Sequence, residues 1–578
     1  MKHTPGTVLI TAASVAVHVW LGWGMIRASA PTFDEPVHLA AGYQNLVTGS
    51  YRLNSRDHPP LAEMWASLPL LWLKPSAMFQ HPDLMSRRVY NFADAFLYKN
   101  RLPAELMLDT ARRWCLATWG ALLGWAVMSW ALRLSGLPGL AAAAVLYAFC
   151  PVLVSNAALV STDAASASLY FMTFWLLSPL ASSGPAPARG EYPAPSGTWR
   201  PGARPLWTWA AAGCAMGLAM ASKFNMFILP VVACALLAAE VRLESLTARP
   251  KERPAAPWLG LAVFALAASV ALAAVYRFES VGLYAEGLRA TLSRLDEGRS
   301  SFFHGRHSST GWLMYFPAAL LVKTPIPQLA LAGLGLWLWL KAPDRARLWA
   351  AGPACAYLLA ALLSKTQIGI RHILPLFPFM ILMGADAAAW LWRLSWRPGV
   401  VRPALAALAA WLAVSVLHAH PHHLAYFNEL VGGPSRGHRW FVDSNLDWGQ
   451  GLKELGRVLE GMGRPPVYLC YFGVADPSAY GIRYTPVAFI SNVERREGLA
   501  EPGKDDPVLF AVSATNLQGT YYSRKDAFAW LGSRAPAAIA GHSIFLYDLT
   551  RDEDGRRMLA SLLTASGAPD AGRRLLSR

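Results

Sequence analysis

A succession of apolar runs, each near the length that crosses a bilayer, constrains this chain more than any other feature. A helix spanning the hydrocarbon needs about 20 apolar residues. Residues 7–28 supply the first, preceded by Lys2 and His3. Others follow at 113–133, 138–155, 163–181, 206–221, 224–242, 257–276, 312–340, 347–363, 372–392 and 402–419. Backbone polar groups find no water at that depth, so such runs fold as helices. The expectation is a polytopic α-helical membrane protein of about 11 spans. Composition agrees: of 578 residues, 54% are hydrophobic and 15% charged, against roughly a quarter charged in soluble proteins. The first run is too long for a signal h-region and reads as a retained helix. Pro317, Pro325 and Pro327 interrupt 312–340, so a half-helix is expected before Pro325.

The net charge of +16 does not point to nucleic acid, because the basic residues lie between apolar runs, as positive-inside loops do. Arg133, then Arg189, Arg200 and Arg204, then Arg242, Arg249, Lys251 and Arg253 occupy alternate connections. Lys341, Arg345 and Arg347 continue that side, as do Arg393, Arg397 and Arg402. All fall on one face if the N-terminus is cytoplasmic and the chain sits in the cytoplasmic membrane. The Pro/Gly/Ala-rich stretch 183–205 reads as a cytoplasmic linker. The loop carrying Asp34, the loop 278–311 and everything after about 420 then face outward. Five of the six cysteines lie in apolar runs and only Cys470 in a polar region, which leaves no disulfide framework and no CxxC knuckle.

Two domains are expected, 1–419 in the membrane and 420–578 outside it. Within the first outer loop, about 29–110, Leu61, Met64, Trp65, Leu68, Leu71 and Trp72 repeat at three and four. They form one helical face that either lies along the interface or packs in a small soluble cap. Beyond 420, Val467–Phe472, Val508–Val512 and Ser543–Tyr547 read as strands. Helical pattern appears near 449–461 and 523–531, giving an extracytoplasmic α/β domain that ends in a loose tail rich in Asp and Arg.

The polar residues on the outer side can then be gathered. Asp34, Glu35, Asp57 and His58 come from the first loop, Asp163 from the start of a span, and Lys223 from a turn between two spans. His304, Arg306 and His307 lie in the 278–311 loop, Lys323 in the broken run, and Lys365 and Arg371 just before the 372–392 span. A carboxylate after a turn often only caps the next helix, and that reading stays open for each acid alone. As a set, carboxylates with Lys and Arg at a membrane face suit transfer of a sugar from a lipid phosphate. One carboxylate takes the proton of an acceptor hydroxyl, and cations stabilise the departing phosphate. No P-loop or dinucleotide glycine fingerprint calls for a soluble nucleotide donor.

At these residues the chain resembles the C-type integral-membrane glycosyltransferases, in the bacterial branch related to protein O-mannosyltransferases and lipid A aminoarabinose transferases. Phe33-Asp34-Glu35-Pro36 looks like the catalytic acidic motif, and Asp57-His58-Pro59-Pro60 like the acid-(Lys or His)-Pro-Pro motif that follows. Thr162-Asp163 resembles the second acidic position and Ser222-Lys223-Phe224 the Thr/Ser-Lys motif. Arg371-His372-Ile-Leu-Pro375 is similar to Arg-Tyr-Leu-Leu-Pro, with His in place of Tyr. The resemblance covers nearly all of the first 420 residues. It implies a C-type glycosyltransferase fold, catalysis by Asp34 or Glu35 with Asp34 preferred, and inversion at the anomeric carbon. It also implies a polyprenyl-phosphate sugar donor, with Asp57, His58, Asp163, Lys223, Lys365 and Arg371 about the donor and substrate. His307 looks like the histidine that helps hold a metal in some relatives, with Asp57 as its partner; a divalent ion is thus an expectation resting on two ligands.

The sequence leaves the hydroxyl acceptor open among protein, lipid and glycan. His418, His420, His422 and His423 sit where a helix leaves the membrane, an interfacial position more than a metal centre. The run Asp443-Ser-Asn-Leu-Asp447-Trp-Gly-Gln450 lacks the Gly and Glu of an EF-hand. It is expected to cap the cavity and help bind the acceptor, or else to form a structural turn network. A transporter or lipid-linked-sugar flippase is the competing reading, but no internal repeat supports it and the acids gather on one face.

Overall fold

The computed structural model describes residues 4–51, 53–86, 88–178, 205–247, 258–394, 398–488 and 498–577. The cytoplasmic linker expected at 183–205 lies outside them except for Pro205, as do the loop charges Arg189, Arg200, Arg204, Arg249, Lys251, Arg253 and Arg397.

Among the described residues, five helices are long and apolar enough to cross a membrane: Pro5–Ala28, Ala104–Ala148, Trp258–Val275, Ile370–Arg393 and Pro398–His418. Leu206–Met220, Phe224–Glu240 and Ile326–Lys341 are shorter apolar helices. The eleven expected runs are therefore not eleven separate full-length helices. Those at 113–133 and 138–155 fall largely in one continuous stretch that breaks at Gly136, whose φ of 67° precedes Pro138 by two residues. The run 163–181 yields Asp163–Leu177, 15 residues, which at 1.5 Å each spans only about 22 Å. The run 312–340 divides at Pro325 into Tyr315–Lys323 and Ile326–Lys341, as its prolines require.

Leu259, Leu266 and Val270 on one long helix and Val400, Val414 and Leu417 on another are exposed. Continuous apolar surface of this kind is the mark of contact with lipid. Helices Leu206–Met220 and Trp258–Val275 pack through a Gly-xxx-Gly pair: a Cβ on Gly213 would lie 2.3 Å from the Phe264 carbonyl oxygen, and one on Gly217 2.2 Å from that of Ala268. Small residues at this spacing let two membrane helices touch backbone to backbone.

In the first outer loop the six-residue apolar face breaks at Pro69 into helices Leu61–Ser67 and Leu70–Leu73. The inward side is Ala62, Glu63, Ala66 and Ser67, while Leu71 and Trp72 are exposed. Leu61, Met64, Trp65 and Leu68 are half-buried, with Leu61 and Trp65 packed on the core, so the stripe is shared between the core and the surface.

The C-terminal sheet has five strands in the order Tyr484–Pro486, Val467–Cys470, Leu509–Ser513, Ile544–Asp548, Ala538–Ala540, parallel across the first three and antiparallel beyond. Helix Leu452–Gly461 matches expectation. The helix expected near 523–531 is only a 3-10 turn at Ala529–Ser533. The tail is not loose: Glu553–Ala565 and Pro569–Leu576 are helices with Leu559, Leu563 and Leu575 buried. The Asp552 carboxylate starts the first by accepting from Gly555 N at 2.8 Å. Sheet residues Tyr468, Phe510 and Phe545 share one hydrophobic core with membrane-helix residues such as Tyr170 and Phe379.

Candidate active site

Pro31 and Pro36 bracket a turn in which Asp34 precedes helix Glu35–Thr48, and the Asp34 side chain makes no capping hydrogen bond. Its Oδ2 instead lies 3.4 Å from Arg371 Nη1. The same Nη1 is 3.4 Å from Asp163 Oδ2, and Asp163 Oδ1 pairs with Lys223 Nζ. Four groups from four distant parts of the chain form one line, Asp34, Arg371, Asp163, Lys223. Asp163 is fully buried, whereas 24% of the Asp34 side chain remains exposed. That difference matters chemically: of the two acids, Asp34 is the one open to a ligand.

Glu35 has a different part. It is fully buried, and its oxygens accept from Arg112 Nε (2.8 Å) and Nη2 (2.5 Å), Thr32 N (2.8 Å) and Oγ1 (3.0 Å), and Val160 N (2.9 Å). Arg112 also donates to the carbonyls of Ser29 and Ala30 at 3.0 and 2.9 Å. Glu35, expected to share the catalytic place, has its lone pairs taken and fastens the Asp34 turn to the chain three residues before Asp163. The sequence reading missed Arg112. Its signal was legible, since an arginine opening a span on the outer side runs against the charge bias and calls for a buried partner.

Behind the line lies a polar cluster also missed. His38 Nδ1 is 3.0 Å from Glu63 Oε1, to which Asn54 Nδ2 donates at 2.6 Å. Burial alone would lower His38, but Glu63 overrides it and holds the ring above its ordinary value. His58 stands edge-on to His38, with ring centroids 4.8 Å apart. Burial, then His38, Lys223 and Arg371, push His58 well below its usual range, so it is neutral. Leu61 N donates to the Ala221 carbonyl at 3.0 Å, joining the His58 turn to the Lys223 turn.

The remaining expected residues do not join the line. Asp57 is half exposed and paired with Arg294. His307 Nε2 meets the Gln518 carbonyl at 2.7 Å, which makes that nitrogen a donor. One atom of each is taken, Asp57 Oδ1 by Arg294 and His307 Nε2 by Gln518, and among the described residues no group of three or more His, Cys, Asp or Glu could hold a metal. Lys365 packs beside Gly298 in the 278–311 loop. Lys323 is buried and donates to the carbonyls of Leu424, at 2.8 Å, and Asn445; it secures the chain after the last long helix. His420 Nδ1 and His423 Nε2 are 3.1 Å apart, and His420 stacks on Trp20.

The Asp443–Gln450 run lies against the line. Arg371 Nε donates to Ser444 Oγ at 3.1 Å, and its guanidinium sits 4.0 Å over the Trp448 ring. Asp443 is buried at φ 55°, a left-handed conformation in which Asp is one of the few tolerated residues, and accepts from Tyr521 OH. Arg299, which the sequence reading passed over, stacks 5.3 Å over Tyr521. Tyr521, Phe472 and Phe33 then stack in turn back to the Asp34 turn.

No family model matches the chain, and no curated protein matches it. Two crystal structures of ArnT from Cupriavidus metallidurans are similar to it at 14% identity. The one bound to undecaprenyl phosphate covers 94% of this chain and 98% of its own, with TM-score 0.49. The apo one covers 94% and 97%, with TM-score 0.47.

Proposed function

We propose that the protein is a membrane glycosyltransferase that moves a sugar from a polyprenyl-phosphate donor to a hydroxyl acceptor on the outer face of the cytoplasmic membrane, with inversion. The observation that carries this reading is the line Asp34, Arg371, Asp163, Lys223: one open carboxylate facing Arg371, and a closed one that holds both Arg371 and Lys223. Asp34 takes the acceptor's proton as general base. As the sugar–phosphate bond breaks, Arg371 and Lys223 receive the charge that develops on the phosphate. Asp163, ionised and closed to substrate, keeps both cations in place. The donor phosphate competes with Asp34 for Arg371, so donor binding frees the base at the moment it is required. Asp57 and Lys365 lie nearer the periphery, His58 beside the buried His38, and all three take part in binding. The apolar helices and the outward stripe at Leu71 and Trp72 accept the prenyl tail. The N-terminus is cytoplasmic, 1–419 is the transferase domain, and 420–578 is an extracytoplasmic domain.

The test is incubation of the purified protein with a radiolabelled polyprenyl-phosphate sugar and cell-envelope extract. Label is expected to pass into the extract with the wild type and not with Asp34→Asn. Equal transfer by both would remove Asp34 from the chemistry, and no transfer by the wild type from any such donor would remove the reading itself.

A further inference from the structure

Arg371 belongs to the membrane part of the chain, yet its geometry is governed from 73 residues downstream. A guanidinium is a planar fork that binds phosphate well only when its plane and roll are set. Here Ser444 Oγ accepts from Nε, and the Trp448 face lies beneath the charge at 4.0 Å. With Nε occupied and one face covered, the N–H groups at the far end point toward Asp34 and Asp163.

The two supports are themselves fixed. Ser444 Oγ donates to the Ile368 carbonyl at 2.9 Å, and Asn445 Oδ1 accepts from Ile370 N at 2.8 Å, so the turn grips the backbone on the near side of Arg371. The Trp448 carbonyl accepts from Phe33 N at 2.8 Å, and Gln450's from Ala30 N at 2.9 Å, which ties the same turn to the chain leading into Asp34. Thr515, just beyond strand Leu509–Ser513, anchors it on the sheet. Its Oγ1 accepts from Asp443 N at 3.0 Å, and its N donates to Asp447 Oδ2 at 2.9 Å. The base and the cation are thus referenced to one short segment that lies outside the membrane helices.

We infer that Trp448 and Ser444 are positioning residues for Arg371, and that through them the segment after the last long apolar helix sets affinity for the donor's phosphate. This rests on the reading of Arg371 as a phosphate contact. The experiment uses the full chain in detergent with farnesyl phosphate as probe, binding being read by titration and folding by the melting temperature. Trp448→Leu and Ser444→Ala are each expected to raise the probe's Kd by about 3- to 30-fold, the range of a partly to fully desolvated cation–π contact. Trp448→Phe keeps an aromatic face and should recover most of that loss. In an Arg371→Lys background, Trp448→Leu should add little, because the planar group it supports is gone. Equal losses in both backgrounds, or unchanged affinity in Trp448→Leu and Ser444→Ala, would overturn the inference. Should Trp448→Leu fail to fold, Ser444→Ala with and without Arg371→Lys carries the same comparison. Absence of probe binding by the wild type would overturn the donor reading instead.

Discussion

Two neighbouring carboxylates, Asp34 and Glu35, are set apart by their partners. Glu35 has five hydrogen bonds and no exposure, while Asp34 has one long contact to Arg371 and an open side. Glu35→Gln would take from the buried Arg112 its closest counter-ion and leave only Asp109 at 3.5 Å, a loss of up to about 3–5 kcal/mol. Asp34→Asn should melt with the wild type while losing about 10²- to 10⁴-fold in transfer, the usual contribution of a general base. Melting curves and transfer rates of the two variants check this; a stable but inactive Glu35→Gln would reverse the assignment. Acid type and adjacency were legible in the sequence. Which acid stands open to a ligand was not, because that depends on Arg112 and Val160, 77 and 125 residues away.

Among elements, small residues and prolines decide where apolar runs become helices and how they meet. Pro325 divides one run and Gly136 with Pro138 interrupts another, as their backbone chemistry demands. Gly217 meets the Ala268 backbone so closely that any side chain must force the helices apart, whereas nothing lies within 4 Å of a Cβ on Gly333. Gly217→Leu is therefore expected to lower the detergent melting temperature by several degrees, since overpacking costs about 1–3 kcal/mol. Gly333→Ala should leave it unchanged or raise it, since Ala is the better helix former by up to about 1 kcal/mol. Equal effects would mean that the Gly213–Gly217 contact contributes nothing to assembly. Helix existence was largely readable from apolar runs. The short C-terminal helices were not, because their Asp- and Arg-rich faces mask the leucines that bury them.

For the whole molecule, acid stability follows from groups outside the membrane helices. Burial, with neighbouring histidines at His423 and His542 and Arg439 at His438, drives His423 to about 3 and His438 and His542 each to about 4. They are neutral when folded and titrate near 6.5 when unfolded. The unfolded chain binds more protons between those values, so stability is lost as pH falls below about 6.5. Asp447 acts in reverse. Pushed up to about 7 by burial, it keeps a proton when folded that the unfolded chain releases above its ordinary value, and so favours folding as pH falls from 7 toward 4. Three groups outweigh one, and the melting temperature is expected to drop from pH 7 to pH 4.5. Asp447→Asn removes one opposing group and should steepen the drop; a flat profile in both proteins would contradict this assignment of the histidines.

By itself, the sequence determined that this chain is a helical protein of the bilayer with a small sheet after residue 420. Apolar run length, long for the helices and short between Gly, Pro and Asp for the strands, is a local property that does not wait on packing. It also gathered Asp34, Asp163, Lys223 and Arg371 into one larger outward-facing set, with Glu35, Asp57, Lys365 and others, because charge retained at a membrane surface stands out against an apolar background. Only the tertiary structure decided how that set is wired. Whether an acid is open or closed, which cation it faces, and that Ser444 and Trp448 from beyond the last long apolar helix hold Arg371 all depend on contacts between segments far apart in the chain. Such contacts leave no periodic trace in the sequence.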